Sequence, residues 1–159
     1  MKLVRFGEPG RERPGILLRD TPESRCAAIV DVRATAFDIE DYNAHFFAHG
    51  GLARLALLSR ESGLKLIPAD SVRLGPPVGR PGKIVCVGKN YAAHAREFGG
   101  GLPKQPIFFS KAVSSLNGPF DPVCLPPDAE VVDSEVELAV VIGRTARQVS
   151  EKNALSCVA

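Results

Sequence analysis

Long hydrophobic runs are missing from this sequence. No apolar stretch among its 159 residues is long enough to cross a bilayer. Residues 1–6 have the pattern of a strand, and they show neither the apolar core nor the cleavage site of a signal peptide. We therefore expect a cytoplasmic protein that has no membrane partner.

A surplus of one charge is also missing. Lysine and arginine together number 20, aspartate and glutamate 18, and both signs are spread along the chain. A protein that binds a nucleic-acid backbone gathers its basic residues on one face. With 45% hydrophobic and 24% charged residues, the composition predicts a globular protein that does not have nucleic acid as a partner.

Cysteine and histidine are scarce. The cysteines are far apart and form no C-x-x-C pair: Cys26, Cys86, Cys124 and Cys157. They have no histidine at zinc-site spacing, so we interpret them as small buried residues in a reducing compartment. Of the three histidines, His45 and His49 lie on the same face of a predicted helix, next to Phe46 and Phe47, and we interpret them as partly packed helix residues. A catalytic histidine therefore has very few candidates.

The sequence pattern of residues 1–74 predicts a small N-terminal domain. Its strands and helices are expected at residues 3–6, 16–18, 27–32, 38–50 and 52–59. A linker follows at residues 75–82, which contain three prolines and three glycines. Such a segment continues neither a helix nor a central strand, so we place the domain boundary at about residue 75.

The sequence pattern of residues 83–159 predicts a second domain that is incomplete. Strands are expected at residues 83–88, 106–109 and 134–143, and helices at 90–97 and 151–159. The run at 83–88 is apolar enough for a buried strand. The final helix has an apolar stripe that needs a packing partner, yet it shows no cap or polar tail. We therefore expect the sequence to be cut short at its C-terminus.

Glu135 and Glu137 lie near the start of the longest predicted strand. Side chains alternate across a strand, so both carboxylates point to one face, and residues 136, 138 and 140 are expected to bury the other. Neighbouring carboxylates repel each other, and a hard divalent cation such as Mg²⁺ removes that repulsion. The alternative is a solvated strand face that carries two ordinary acids.

His94 and Glu97 are three residues apart on a predicted helix, so the carboxylate can meet the imidazole. A carboxylate that holds one ring nitrogen makes the other nitrogen a better base, and such a pair can activate water. Lys111 follows a predicted strand and is suited to neutralise a substrate carboxylate. The alternatives are a surface pair on a polar helix and a merely solvated lysine.

Three segments together resemble the fumarylacetoacetate hydrolase family. They are residues 83–97, 106–111 and 135–143, and they occur in the family's order. The leading domain and residues 73–82 resemble the bacterial members that carry a small N-terminal domain. The resemblance implies an α+β, mainly β fold, in which that small β/helix domain precedes the first part of a roll-like catalytic β domain.

The resemblance also implies a site. Glu135 and Glu137 would bind Mg²⁺ or Mn²⁺, with a third acidic ligand that is absent from this chain. His94 and Glu97 would activate water, and Lys111 would belong to the active site. A small 2-oxo or 2,4-dioxo acid would chelate the metal, and a C–C bond would be cleaved by hydroxide. The full-length form would be a homodimer.

Three functional outcomes stay open at this point. The leading hypothesis is a metal-dependent hydrolase that cleaves a C–C bond. An oxaloacetate-type decarboxylase or a dienoate isomerase of the same family would use the same metal-stabilised enolate. The third outcome is an inactive, truncated fragment without turnover.

Overall fold

The computed structural model describes residues 1–18, 27–97, 99 and 102–159. Two compact units form: Met1–Gly79 together with Asn117–Ala159, and Arg80–Leu116. The chain leaves the first unit inside the predicted linker and returns to it at Asn117, whereas the sequence grouped residues 83–159 together. The division into sequence domains stays a prediction.

An antiparallel sheet of five strands frames the first unit. The strands are β1 (Lys2–Phe6), β2 (Arg13–Leu18), β3 (Ala28–Asp31), β4 (Leu66–Pro68) and β5 (Leu74–Gly75). Their order in the sheet is β4-β3-β2-β1-β5. The turn between β1 and β2 contains two glycines with positive φ, Gly7 at +112° and Gly10 at +77°, a conformation that glycine adopts without steric cost. The strands predicted at residues 3–6, 16–18 and 27–32 are confirmed.

Three helices pack against this sheet. They are α1 (Val32–Thr35), α2 (Ala44–Ala48) and α3 (Gly51–Leu58). The buried cluster between helices and sheet consists of Ile16, Val30, Val32, Ile39, Tyr42, Phe46 and Leu55. The Tyr42 hydroxyl donates a hydrogen bond to the carbonyl of Gly15 at 2.8 Å, which ties the segment before α2 to β2. This hydrogen bond satisfies a polar group that would otherwise be costly to bury.

The predicted helix start at Asp38 is wrong. Helix α2 begins after Asn43, whose side chain accepts a hydrogen bond from the Phe46 N–H at 3.0 Å and caps the helix. The Asp38 carboxylate is instead engaged by the Arg54 guanidinium, at 2.6 and 3.2 Å. An acid that is held by a distant arginine does not serve as a helix cap.

The second unit contains a two-stranded hairpin and a short helix. Strand β6 (Ile84–Gly88) pairs antiparallel with β7 (Ile107–Lys111), and helix α4 (Ala92–Glu97) lies between them in sequence. The sequence predicts all three elements. The expectation that the first strand is buried is wrong, because β6 alternates between half-buried and exposed residues and all of β7 is exposed. A sheet of two strands is too small to cover its own faces.

The longest predicted strand, residues 134–143, is not formed. Among the described residues, the β pairing of this segment is limited to one antiparallel bridge between Ile142 and Val158. Val136 is 94% and Leu138 is 82% exposed, so the expectation that this face is buried is wrong as well. A strand is stabilised by backbone hydrogen bonds to a neighbouring strand, and the described ranges place no strand beside residues 134–140.

The last helix is shorter than predicted. Helix α5 (Glu151–Ala154) is followed by a 3₁₀ turn, Leu155–Cys157. The backbone then extends at Val158, where ψ is 141°, and this residue forms the bridge to Ile142. A helical conformation to residue 159 is incompatible with that pairing.

The three described cysteines are free thiols that differ in burial. Cys157 is buried, Cys86 is half-buried and Cys124 is exposed. The interpretation of the cysteines as buried residues is therefore wrong for Cys124, which lies in a proline-rich segment without regular secondary structure. Cys26 lies outside the described residues.

Helix and strand are mixed in both units, and the fold class is α+β, mainly β, as the sequence predicts. No helix in the described ranges combines the length and the apolar character that a membrane crossing needs.

The two leucines of α3 test the packing of the first unit. Leu55 is fully buried, whereas Leu57 is 64% exposed. We expect Leu55→Ala to lower the free energy of unfolding by about 2–5 kcal/mol, because it leaves a cavity in the cluster. Leu57→Ala has the same change in helix propensity and should cost less than about 0.5 kcal/mol. Urea denaturation followed by circular dichroism measures both, and equal losses would contradict the packing described.

Candidate active site

His94 and Glu97 meet on helix α4. The Nδ1 atom of His94 lies 3.6 Å from Oε2 of Glu97, as expected for side chains three residues apart on a helix. This distance permits an electrostatic contact but exceeds the roughly 2.7–3.2 Å of an N–H···O hydrogen bond. The two side chains are 41% and 72% exposed, so water has access to both. The structure brings the pair together, and its catalytic role stays a prediction.

Lys111 is the last residue of β7, and it is exposed. In the hairpin it pairs with Ile84, whereas Gly88, the residue from which the chain continues towards α4, pairs with Ile107. Lys111 therefore lies at the opposite end of the hairpin from Gly88, a separation of about 13 Å along the strand. The hairpin alone does not place Lys111 beside the helix, and its role in a site stays a prediction.

Glu135 and Glu137 lie in the first unit, whereas His94, Glu97 and Lys111 belong to the second. Both glutamates are exposed and lie in a segment without regular structure. The pleated strand that would aim both carboxylates at one face is not formed. Their predicted role as metal ligands stays a prediction.

The two glutamates offer the kind of donor atom that a hard divalent cation prefers. Carboxylate oxygens are the preferred protein ligands of Mg²⁺ and also suit Mn²⁺. In the part of the chain that the structure describes, however, no three side chains of histidine, cysteine, aspartate or glutamate come together as a metal site. The two proposed ligands are therefore of the right kind, and a closed site needs further donors beside them.

The comparisons with known proteins decide the family. Residues 83–159 match the family described as "Fumarylacetoacetate (FAA) hydrolase C-terminal". This part of the chain belongs to the fumarylacetoacetate hydrolase family. The matched part contains all five residues that the sequence analysis singled out: His94, Glu97, Lys111, Glu135 and Glu137.

Relatives of this family extend the likeness to the whole chain. A protein of Burkholderia multivorans, named only as a hydrolase, is 40% identical over 159 residues, which are 100% of this chain and 52% of the relative. The mitochondrial oxaloacetate tautomerase FAHD2A of Bos taurus is 37% identical over 163 residues and is covered to 50%. The chain thus spans about half the length of the curated relatives it matches.

A solved structure shows the same fold. It is the crystal structure of maleylpyruvate hydrolase from Sphingobium sp. SYK-6 in complex with manganese(II) ion and pyruvate. The two chains are 29% identical and superimpose with a TM-score of 0.68 over 99% of this chain and 55% of the other. This likeness confirms the predicted fold class, α+β and mainly β, whereas the boundary between the two sequence domains stays a prediction.

The first unit also contains a cluster of charged residues that the sequence analysis did not single out. We call it the five-charge cluster: Arg5, Glu12, Asp41, Arg73 and Asp121. Its members are scattered over most of the chain, and no spacing rule links them. The only local signal is the position of Arg5, whose side chain is 9% exposed, within an apolar strand, where a charge needs partners.

The two glutamates provide a test of the metal site. We expect the 159-residue chain to bind Mn²⁺ weakly, with a dissociation constant on the order of millimolar or weaker, because two carboxylates leave most positions to water. Glu137→Gln should abolish that binding, whereas Glu130→Gln, an exposed acid of the same segment, should not change it. Calorimetric titration with MnCl₂ measures this. Equal binding by both variants would remove Glu137 from the site.

Proposed function

We propose that this chain is part of a divalent-metal-dependent enzyme that uses water to cleave a C–C bond in a small 2-oxo or 2,4-dioxo acid. The contact between His94 and Glu97, in a segment that matches the family, carries the proposal. The manganese and pyruvate in the Sphingobium structure support the metal and the substrate class. Glu135 and Glu137 are the proposed ligands of Mg²⁺ or Mn²⁺.

The chain's own residues have separate tasks in this proposal. When bound, the cation supplies positive charge that polarises the 2-oxo group. His94 accepts a proton from water through one ring nitrogen, and Glu97, held near the other, stabilises the imidazolium. In a 2,4-dioxo acid, the oxygen of that water adds to the 4-oxo carbon, the C3–C4 bond breaks with its electron pair delocalised into the 2-oxo group, and the proton passes to C3. Lys111 binds the substrate carboxylate.

A complete metal site needs more donors than the described residues bring together. The described residues supply two carboxylates and no group of three ligands, and the relatives are about twice as long. We propose that the third acidic ligand comes from polypeptide outside these 159 residues, in a homodimeric full-length form.

The second candidate is tautomerisation of oxaloacetate. It is favoured by the Bos taurus relative, which is 37% identical and bears that name. Its chemistry needs less from the site, because a proton moves between carbon and oxygen and no bond between carbons breaks. The same His94–Glu97 pair can transfer that proton, so the geometry of α4 alone does not separate the two reactions.

Isotope incorporation separates them. A panel of 2-oxo and 2,4-dioxo acids, including oxaloacetate, is incubated with the protein and MnCl₂ in water labelled with heavy oxygen, and in parallel in deuterated water. C–C hydrolysis places one labelled oxygen in a carboxylate product and divides the substrate in two. Tautomerisation leaves the carbon skeleton intact and exchanges only carbon-bound hydrogen. Release of carbon dioxide from oxaloacetate identifies a decarboxylase, and no turnover of any compound identifies a fragment that is inactive by itself.

Substitutions in a form that shows turnover test the roles. We expect His94→Ala to lower kcat by roughly a hundredfold to ten-thousandfold, the usual contribution of a general base, and to leave Mn²⁺ binding unchanged. Glu135→Gln should lower metal binding and turnover together. His49→Ala removes an exposed histidine at the C-terminal cap of α2 and serves as the control. Full activity of His94→Ala would show that the water-activating role is wrongly assigned.

A further inference from the structure

The segment Arg80–Leu116 leaves the first unit and returns to it, and the exit is held by one end of the five-charge cluster. Arg5 donates to both carboxylate oxygens of Asp41, at 2.6 and 2.9 Å, and to the carbonyl of Pro76 at 3.2 Å. The N–H of Gly79 donates to the carbonyl of Tyr42 at 2.9 Å. Gly79 lies so close to Asp41 that an added Cβ would be 2.3 Å from Oδ2. Gly79, the last residue before the segment, is thus held in contact with Asp41.

The return is held by the other end of the cluster. Arg73 donates through Nε to Asp121 Oδ1 at 2.9 Å, and its Nη2 also contacts the same carboxylate. Asp121 accepts a further hydrogen bond from the N–H of Gly118 at 3.1 Å. A Cβ on Gly118 would be 2.3 Å from the carbonyl oxygen of Leu74. Gly118, the second residue after the segment, is therefore held in contact with β5.

Glu12 joins the two ends. Its Oε1 accepts from Arg73 at 3.0 Å and its Oε2 from Arg5 at 3.4 Å. The Glu12 side chain is 6% exposed, and Gly75 packs on it so closely that an added Cβ would be 2.7 Å from its Cγ. A carboxylate that accepts from two arginines in a buried position links their orientations.

The ionisation of these acids agrees with that arrangement. Burial opposes the charge on Glu12, but hydrogen bonds from its own N–H and from Arg73, and the charge of Arg5, outweigh burial and hold its pKa below the ordinary value. The hydrogen bond from Arg73 likewise holds the pKa of Asp121 below its ordinary value, with burial opposing. Both acids are charged at neutral pH and available to the arginines.

We propose that Glu12 couples the exit and the return of segment 80–116, so that the five-charge cluster acts as one clasp on the two ends of the segment that carries His94, Glu97 and Lys111. Loosening one end then loosens the other. Its relevance to catalysis rests on the proposed function, whereas the coupling itself does not. Two independent ion pairs, each holding one end, are the competing arrangement.

Amide hydrogen exchange tests the coupling without any activity. The N–H of Gly79 reports on the exit and that of Gly118 on the return. The N–H of Asp31, which donates to the carbonyl of Lys65 at 3.0 Å, reports on opening of the sheet as a whole. We expect Asp121→Asn to speed exchange not only at Gly118 but also at Gly79, by about threefold or more, with Asp31 unchanged.

Measuring the same amides in the Glu12→Gln variant, with and without Asp121→Asn, completes a double-mutant cycle. In Glu12→Gln, both glycine amides should already exchange faster, and adding Asp121→Asn should no longer affect Gly79. Glu8→Gln, an exposed acid of the same hairpin turn, should leave all three amides unchanged. An effect of Asp121→Asn confined to Gly118 would overturn the proposal in favour of two independent ion pairs. A parallel rise at Asp31 would overturn it in favour of general destabilisation.

Discussion

The first unit depends on a buried glutamate that accepts hydrogen bonds from two arginines. Glu12 lies in the hairpin turn at the beginning of the chain, yet through Arg5 and Arg73 it reaches Asp41, Pro76 and Asp121. Burying one charge alone is expensive, so the arrangement is favourable only because every member has a partner. The N-terminal sheet and the region around Asp121 are consequently parts of one structure, although more than a hundred residues separate Glu12 from Asp121.

Apolar side chains stay exposed in the part of the chain that matches the family, residues 83–159. Val136, Leu138 and Ile142 are 94%, 82% and 59% exposed, and Phe108 on β7 is 66% exposed. Single exposed apolar residues are common on protein surfaces, but a series along one segment is not. The chain spans about half of its relatives, and the residues proposed for metal binding lie within the same exposed segment. The proposed metal ligands and these exposed apolar side chains therefore belong to the same segment of the chain.

Local patterns predicted those elements whose stabilisation is local. The β1–β2 hairpin follows from its turn glycines, α3 begins at the pair Gly50–Gly51, and the contact between His94 and Glu97 follows from helical spacing. The strand at residues 134–143 could not be predicted reliably, because a strand needs a hydrogen-bonded neighbour that its own sequence does not specify. The start of α2 was misplaced because Arg54, sixteen positions after Asp38, engages the acid that looked like a helix-terminal residue.

The sequence by itself determined the resemblance to a family, the fold class and the identity of the residues proposed for chemistry. These depend on residue types at fixed spacings, which the chain carries whatever its packing. The tertiary structure alone decided which charges are buried and which apolar side chains are exposed. It also decided that the chain leaves and re-enters the first unit at the two ends of the five-charge cluster. Such features depend on which distant segments come into contact, and contacts between scattered residues such as Arg5, Glu12 and Asp121 leave no periodic mark in a sequence.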